Sequence, residues 1–156
     1  MEKTEMINQK LYGLFCAENC YIEDEFVIRI DNKFNTIYEI YSFFGSQIYK
    51  KYKYINSIMP DRIGFFGGSP DGFSDCLTEF LSQSSKGAVL RIEIIDKGYE
   101  ISEEEIYIFL YILSSIMVSY DSKLRVLISK EILDIYLKES KRLIDLDTDP
   151  NDFVQY

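Results

Sequence analysis

Few side chains in this sequence are of the kinds that turn over a substrate near neutral pH. None of the 156 residues is a histidine, which removes the commonest metal ligand and the side chain best suited to proton transfer near neutrality, together with every dyad or triad built on it. Cys16 and Cys20 are spaced to share one face of a helix, but two thiols with no further Cys or His do not complete a zinc site. With Cys76 they read as small buried hydrophobes. Carboxylates remain, in the runs Glu23-Asp24-Glu25 and Glu103-Glu104-Glu105. Adjacent acids read as a solvated face or a helix start, and no spacing sets two of them across a cleft. The inventory calls for no cofactor and no metal, and it points away from an enzyme.

One turn has the composition to hold an anion. Gly67-Gly68-Ser69 precedes a helical pattern, and free amides at such a junction can cradle a phosphate. No lysine follows, however, and Asp71 and Asp75 fall in the first turns, so the stretch is not a P-loop. The structural reading is the stronger one. Ser69 caps, Pro70 takes the first helical position, and Phe73, Cys76, Leu77, Phe80 and Leu81 form the buried stripe of a helix ending near Ser84. Lys50, Lys51 and Lys53 alternate with Tyr49, Tyr52 and Tyr54 in the pattern of a nucleic-acid surface, yet they also sit where a helix C-terminus favours cations. The 26 acidic against 17 basic residues, net -9, repel a phosphate backbone and attract a basic protein. No nucleic-acid partner is expected.

The elements that must position these groups centre on residues 88–128. An alternating strand (Ala88, Leu90, Ile92, Ile94) leads through Lys97 and Gly98 to an apolar helix from Glu103 to about Tyr120, then to a strand through Leu124, Val126 and Ile128. This is a βαβ unit, whose crossover is right-handed. Ser102 and Glu105 make a capping box at the helix start. From Ile106 to Val118 only Ser114 and Ser115 are polar, so the helix should be buried; the run is shorter than the ~18 residues of a membrane span.

Upstream, residues 3–19 allow a short amphipathic helix, Tyr21–Ile30 alternates as a strand, and Asn35–Lys53 has helical periodicity with Asn35 as its cap. Arg62–Phe66 reads as a short strand. Downstream, Ser129 or Lys130 opens a helix to about Leu143. The expected fold is a single α/β or α+β domain over residues 1–144, with a mixed four-stranded sheet and about four to five helices, followed by an acidic tail over 145–156. Arg29, Arg91 with Glu93, and Arg125 interrupt the strands on alternate residues, through cross-strand pairing or as a polar binding face. The Met-Glu-Lys-Thr-Glu-Met start lacks a secretory pattern and the cysteine count is odd, so the expected compartment is the cytoplasm.

In size, acidity, aromatic richness and lack of catalytic side chains, the whole chain resembles the immunity proteins that protect bacteria from their own contact-dependent growth-inhibition and related polymorphic toxins. The resemblance implies a basic protein partner, a toxin domain whose cationic active site is capped by an acidic surface with Tyr and Phe anchors. Candidate contact residues are Glu23, Asp24 and Glu25, the cluster Glu103, Glu104 and Glu105, and the C-terminal Asp145, Asp147, Asp149 and Asp152. An alternative is a small ligand- or phosphate-binding enzyme domain using the Gly67–Ser69 turn, which requires a concave pocket with convergent polar groups. A third is an acidic decoy of DNA, which requires carboxylates spaced like phosphates along one face.

Overall fold

Period-two alternation dictates three strands. The structure, a computed structural model, describes residues 4–5, 25–84, 89–120 and 122–145. Strands β1 (Glu25–Ile30), β2 (Val89–Ile94) and β3 (Leu124–Ser129) lie side by side in chain order, all parallel. Phe26, Leu90 and Leu124 share one register row, as do Ile28, Ile92 and Val126, and Ile30, Ile94 and Ile128. These even-numbered side chains form one face of the sheet, and all of them except the half-buried Phe26 are core residues. Two residues, Thr4–Glu5, pair antiparallel with Ile128 and Ser129 at the outer edge.

Four helices share the core over that face: α1 (Ile37–Tyr52), α3 (Glu103–Ser119) and α4 (Lys130–Asp145) contact the strands, and α2 (Pro70–Gln83) joins the same core by packing on α3. Sequential parallel strands whose crossovers share one hand put every connection on the same side, in keeping with the one core cluster that these helices share. As its composition requires, α3 lies at the centre, packed against α2 and α4, with ten residues buried. Ser102 and Glu105 form the full capping box, each side chain meeting the other's backbone amide. No helix among the described residues is long and apolar enough to cross a membrane.

Three expectations are corrected. The sheet is not a mixed four-stranded one: it has three full strands, all parallel, because Arg62–Phe66 is not a strand. Gly64 takes φ +80°, the Phe65 amide turns back to the Arg62 carbonyl, and Asn56 Nδ2 donates to the Phe65 carbonyl at 2.6 Å. A side chain thus takes up a backbone group that a strand would have paired. The helices number four among the described residues, and α1 is capped by Thr36, whose hydroxyl accepts from the Glu39 amide, rather than by Asn35. Asp145, expected to open the tail, closes α4. The expected helix over 3–19, Cys16 and Cys20 lie outside the described residues, Thr4–Glu5 apart.

The odd-numbered face carries charge. Arg29 donates through Nε and Nη2 to Glu93 Oε1, and Arg91 donates from Nε to Glu93 Oε2 at 2.9 Å and from Nη1 to Glu25 Oε1 at 3.3 Å. Glu93 is 7% exposed. It sits directly opposite Arg29 and ties β1 to β2, and by also accepting from Arg91 on its own strand it offsets the positive charge of a row in which Arg91 stands beside Arg125. Removing one member of a buried charge network leaves the others unpaired. Glu93→Ala is therefore expected to lower the urea midpoint by about 3 kcal/mol of unfolding free energy, with no change in the denaturant slope; a loss under 1 kcal/mol would show the network to be incidental.

Candidate functional site

Between α2 and α3 the helix surfaces diverge into a groove of about 840 Å³, within the ~300–1,000 Å³ range of ligand clefts. One wall is a stripe on α2, Asp71, Asp75 and Glu79, each four residues and so roughly 6 Å beyond the last. The facing wall is a stripe on α3 with the same period, Tyr111, Ser115 and Ser119, joined by Tyr120. Ser74 and Thr78 add hydroxyls from α2, and Ile116 adds an apolar patch.

The carboxylates in this groove are of two kinds. Asp71 and Asp75 are exposed, and among the described residues neither takes part in an ion pair or hydrogen bond. Glu79 is held: its carboxylate accepts from the Ser57 amide at 3.1 Å and from the Tyr54 phenol. Those bonds, Ser57 first, keep its carboxyl below the usual glutamate range, while burial and then Glu79 itself push the Tyr54 phenol up. Ser74 is only 8% exposed. Its hydroxyl lines the groove and has no hydrogen-bond partner among the described residues. Beneath, Cys76 is fully buried and its thiol is pushed up to about 11, chiefly by burial, so it stays protonated and unreactive at neutral pH.

The sequence places α2, but the position of its acidic face relative to α3 depends on packing. Phe73 contacts Tyr41, Phe44, Phe66 and Phe109 with ring centroids 4.7 to 5.7 Å apart, fixing α2 against α1, the 53–69 loop and α3. Gly67 takes φ +99°, and a Cβ there would come within 2.4 Å of the Phe73 amide nitrogen. The glycine turn therefore serves close approach to α2. Ser69 caps by accepting from the Gly72 amide, and Asp71 stands in the first turn, where its charge would repel an anion.

The expected contact residues are placed differently. Glu25 is inside the sheet network with Arg91. Glu103 pairs with Lys138, and Glu104 lies 3.5 Å from Arg142, which also donates to the buried Glu139 at 2.8 Å. Both tie α3 to α4, and Glu105 completes the cap of α3. Glu23, Asp24, Asp147, Asp149 and Asp152 lie outside the described residues. Asp145 ends α4, the helix whose Arg142 reaches Glu104. No family model, curated protein or solved structure matches this chain.

Among the described residues, no three His, Cys, Asp or Glu side chains are arranged to hold a metal ion. The acidic side chains are strung along a helix, an arrangement suited to an extended cationic group. Beside the groove, the 53–69 loop carries Ile55, Ile58 and Ile63, 40%, 54% and 64% exposed. Asn56 pins it internally, accepting from the Met59 amide at 2.9 Å, and Glu79 ties it to α2.

The linkage sign for Glu79 follows from its lowered pKa. The stability it contributes is complete above the ordinary glutamate range and is lost as pH falls through its folded value. Glu79→Gln should lower the thermal midpoint at pH 7 and leave it progressively closer to wild type as pH is lowered through the carboxylate range. Parallel curves from pH 7 to pH 3 would show that the Ser57 and Tyr54 bonds contribute nothing.

Proposed function

We propose that this chain is a protein-binding module of the immunity type, which neutralises a basic toxin domain by laying an acidic surface over its cationic active site in the cytoplasm. The observation that carries the reading is the pair Asp71 and Asp75: exposed carboxylates on one helix face, without a protein cation among the described residues, lining an open groove. Glu93, Glu103 and Glu104 each have cationic partners within the fold, whereas Asp71 and Asp75 have none among the described residues and stand together beside the groove. Tyrosines in the groove and isoleucines on the adjoining loop supply anchors beside the charge, the composition of an interface core and rim. The buried, protonated Cys76 is compatible with a reducing compartment.

The phosphate-binding alternative receives no support from the Gly67–Ser69 turn: Ser69 takes up the Gly72 and Phe73 amides at the helix start, and the first helical turn is acidic. A DNA decoy would need carboxylates along an extended face, whereas Asp71, Asp75 and Glu79 stand in one short row against a hydroxyl-rich wall.

The test is kinetic. Partners cross-linked to the protein in its native cells are purified and their association measured by stopped flow from 20 to 500 mM salt. A basic domain whose association slows steeply with salt, and about tenfold in Asp71→Asn/Asp75→Asn at low salt, is the expected result. An acidic or neutral partner, or rates indifferent to salt and to the double substitution, would refute the reading.

A further inference from the structure

Building on that reading, we infer that the groove between α2 and α3 receives the side chain of an arginine carried on a protruding segment of the basic partner, rather than serving as a general negative surface. Two independent features point to a specific cation. Asp71 and Asp75, without cationic partners among the described residues, stand one helical turn apart on a single wall, which offers a planar guanidinium two carboxylates at successive heights. Ser74, nearly buried beside them and without a hydrogen-bond partner among the described residues, opens its hydroxyl into the same space. That oxygen is open to the groove and can accept from an N–H donor that enters it.

The rest of the lining favours arginine over lysine. Tyr111 and Tyr120 line the same space as the carboxylates, and a guanidinium stacks on aromatic faces while presenting five donors in a fixed fork. Thr78 and Ser119 add oxygens at the margins. An ammonium ion meets one carboxylate as a point charge, keeps more of its hydration and cannot span both heights while lying flat on a ring. The volume of about 840 Å³ accommodates the backbone of the segment that delivers the side chain, and Ile116 in the lining contacts its methylenes. The chemistry is therefore an arginine-bearing loop or turn, with one residue inserted and its neighbours over the rim.

The probes are N-acetyl-arginine amide, N-acetyl-lysine amide and N-acetyl-citrulline amide, titrated into the whole protein and followed by amide NMR shifts. Arginine should give saturable shifts confined to residues around 71–79 and 111–120, with affinity about tenfold above lysine and no saturation for citrulline. Asp75→Asn and Ser74→Ala should each weaken arginine binding several-fold. Asp75 is exposed and Ser74 unpartnered, so both variants should keep the wild-type thermal midpoint, which is measured alongside. Equal affinity for lysine and arginine, unsaturable shifts, or a Ser74→Ala variant that binds as wild type would overturn the arginine site. If these probes fail while a basic partner still depends on Asp71 and Asp75, the arginine site is wrong and the capping function stands. If arginine saturates the groove and no basic protein associates, the arginine chemistry is retained and the capping function falls.

Discussion

The packing of Phe73 is the constraint on which the rest of this molecule depends. One ring joins α1, α2, α3 and the 53–69 loop, stacking on Tyr41 with an interplanar angle of 18° and meeting Phe44 edge-on at 90°. Aromatic pairs in these geometries contribute about 0.5–1.5 kcal/mol each beyond their buried area, and here several converge on one side chain. The strands are held by their own ladders and by α3, but α2 packs mainly on α3 and reaches its place through Phe73. Because Ser74 and Asp75 follow directly in the chain, the position of that ring sets where the groove's acidic wall stands.

The carboxylates of the protein divide by what they do. Glu93 in the sheet, Glu105 at the α3 cap, Glu79 on the loop and Glu139 against Arg142 stabilise the fold, each with a named donor. Among the described residues Asp71 and Asp75 have no such donor, like Asp61, Glu100, Glu131 and Asp134, but they alone of these line the groove. A net charge of -9 is a bulk property compatible with many functions; which acids remain unneutralised after folding carries the functional information, and only the three-dimensional arrangement supplies it.

Much of the scaffold is legible in the sequence because it rests on local rules. The capping box at Ser102 and Glu105, Ser69 with Pro70, and the strand alternations at 25–30, 89–94 and 124–129 are set by neighbours within a few residues. The failures have equally definite causes. Ile63, Phe65 and Phe66 have strand composition, but Gly64 and the grip of Asn56, nine residues before Phe65, decide otherwise. The Arg29–Glu93 pair is only half legible, since the alternation of charge is visible while its partners, 64 residues apart, depend on strand order. The groove is least visible of all. From the sequence alone, Asp71 and Asp75 read as helix-start acids, and Ser115 as an exception in a greasy helix; nothing local brings them face to face.

The separation of structural from unassigned carboxylates bears on how such a protein can diverge. Substitutions at Glu93 or Glu105 act on the scaffold itself, so drift there is limited by folding. Asp71, Asp75 and their exposed neighbours at the groove can be exchanged with little penalty to the native state, leaving the chemistry of that surface free to vary while the architecture beneath it persists.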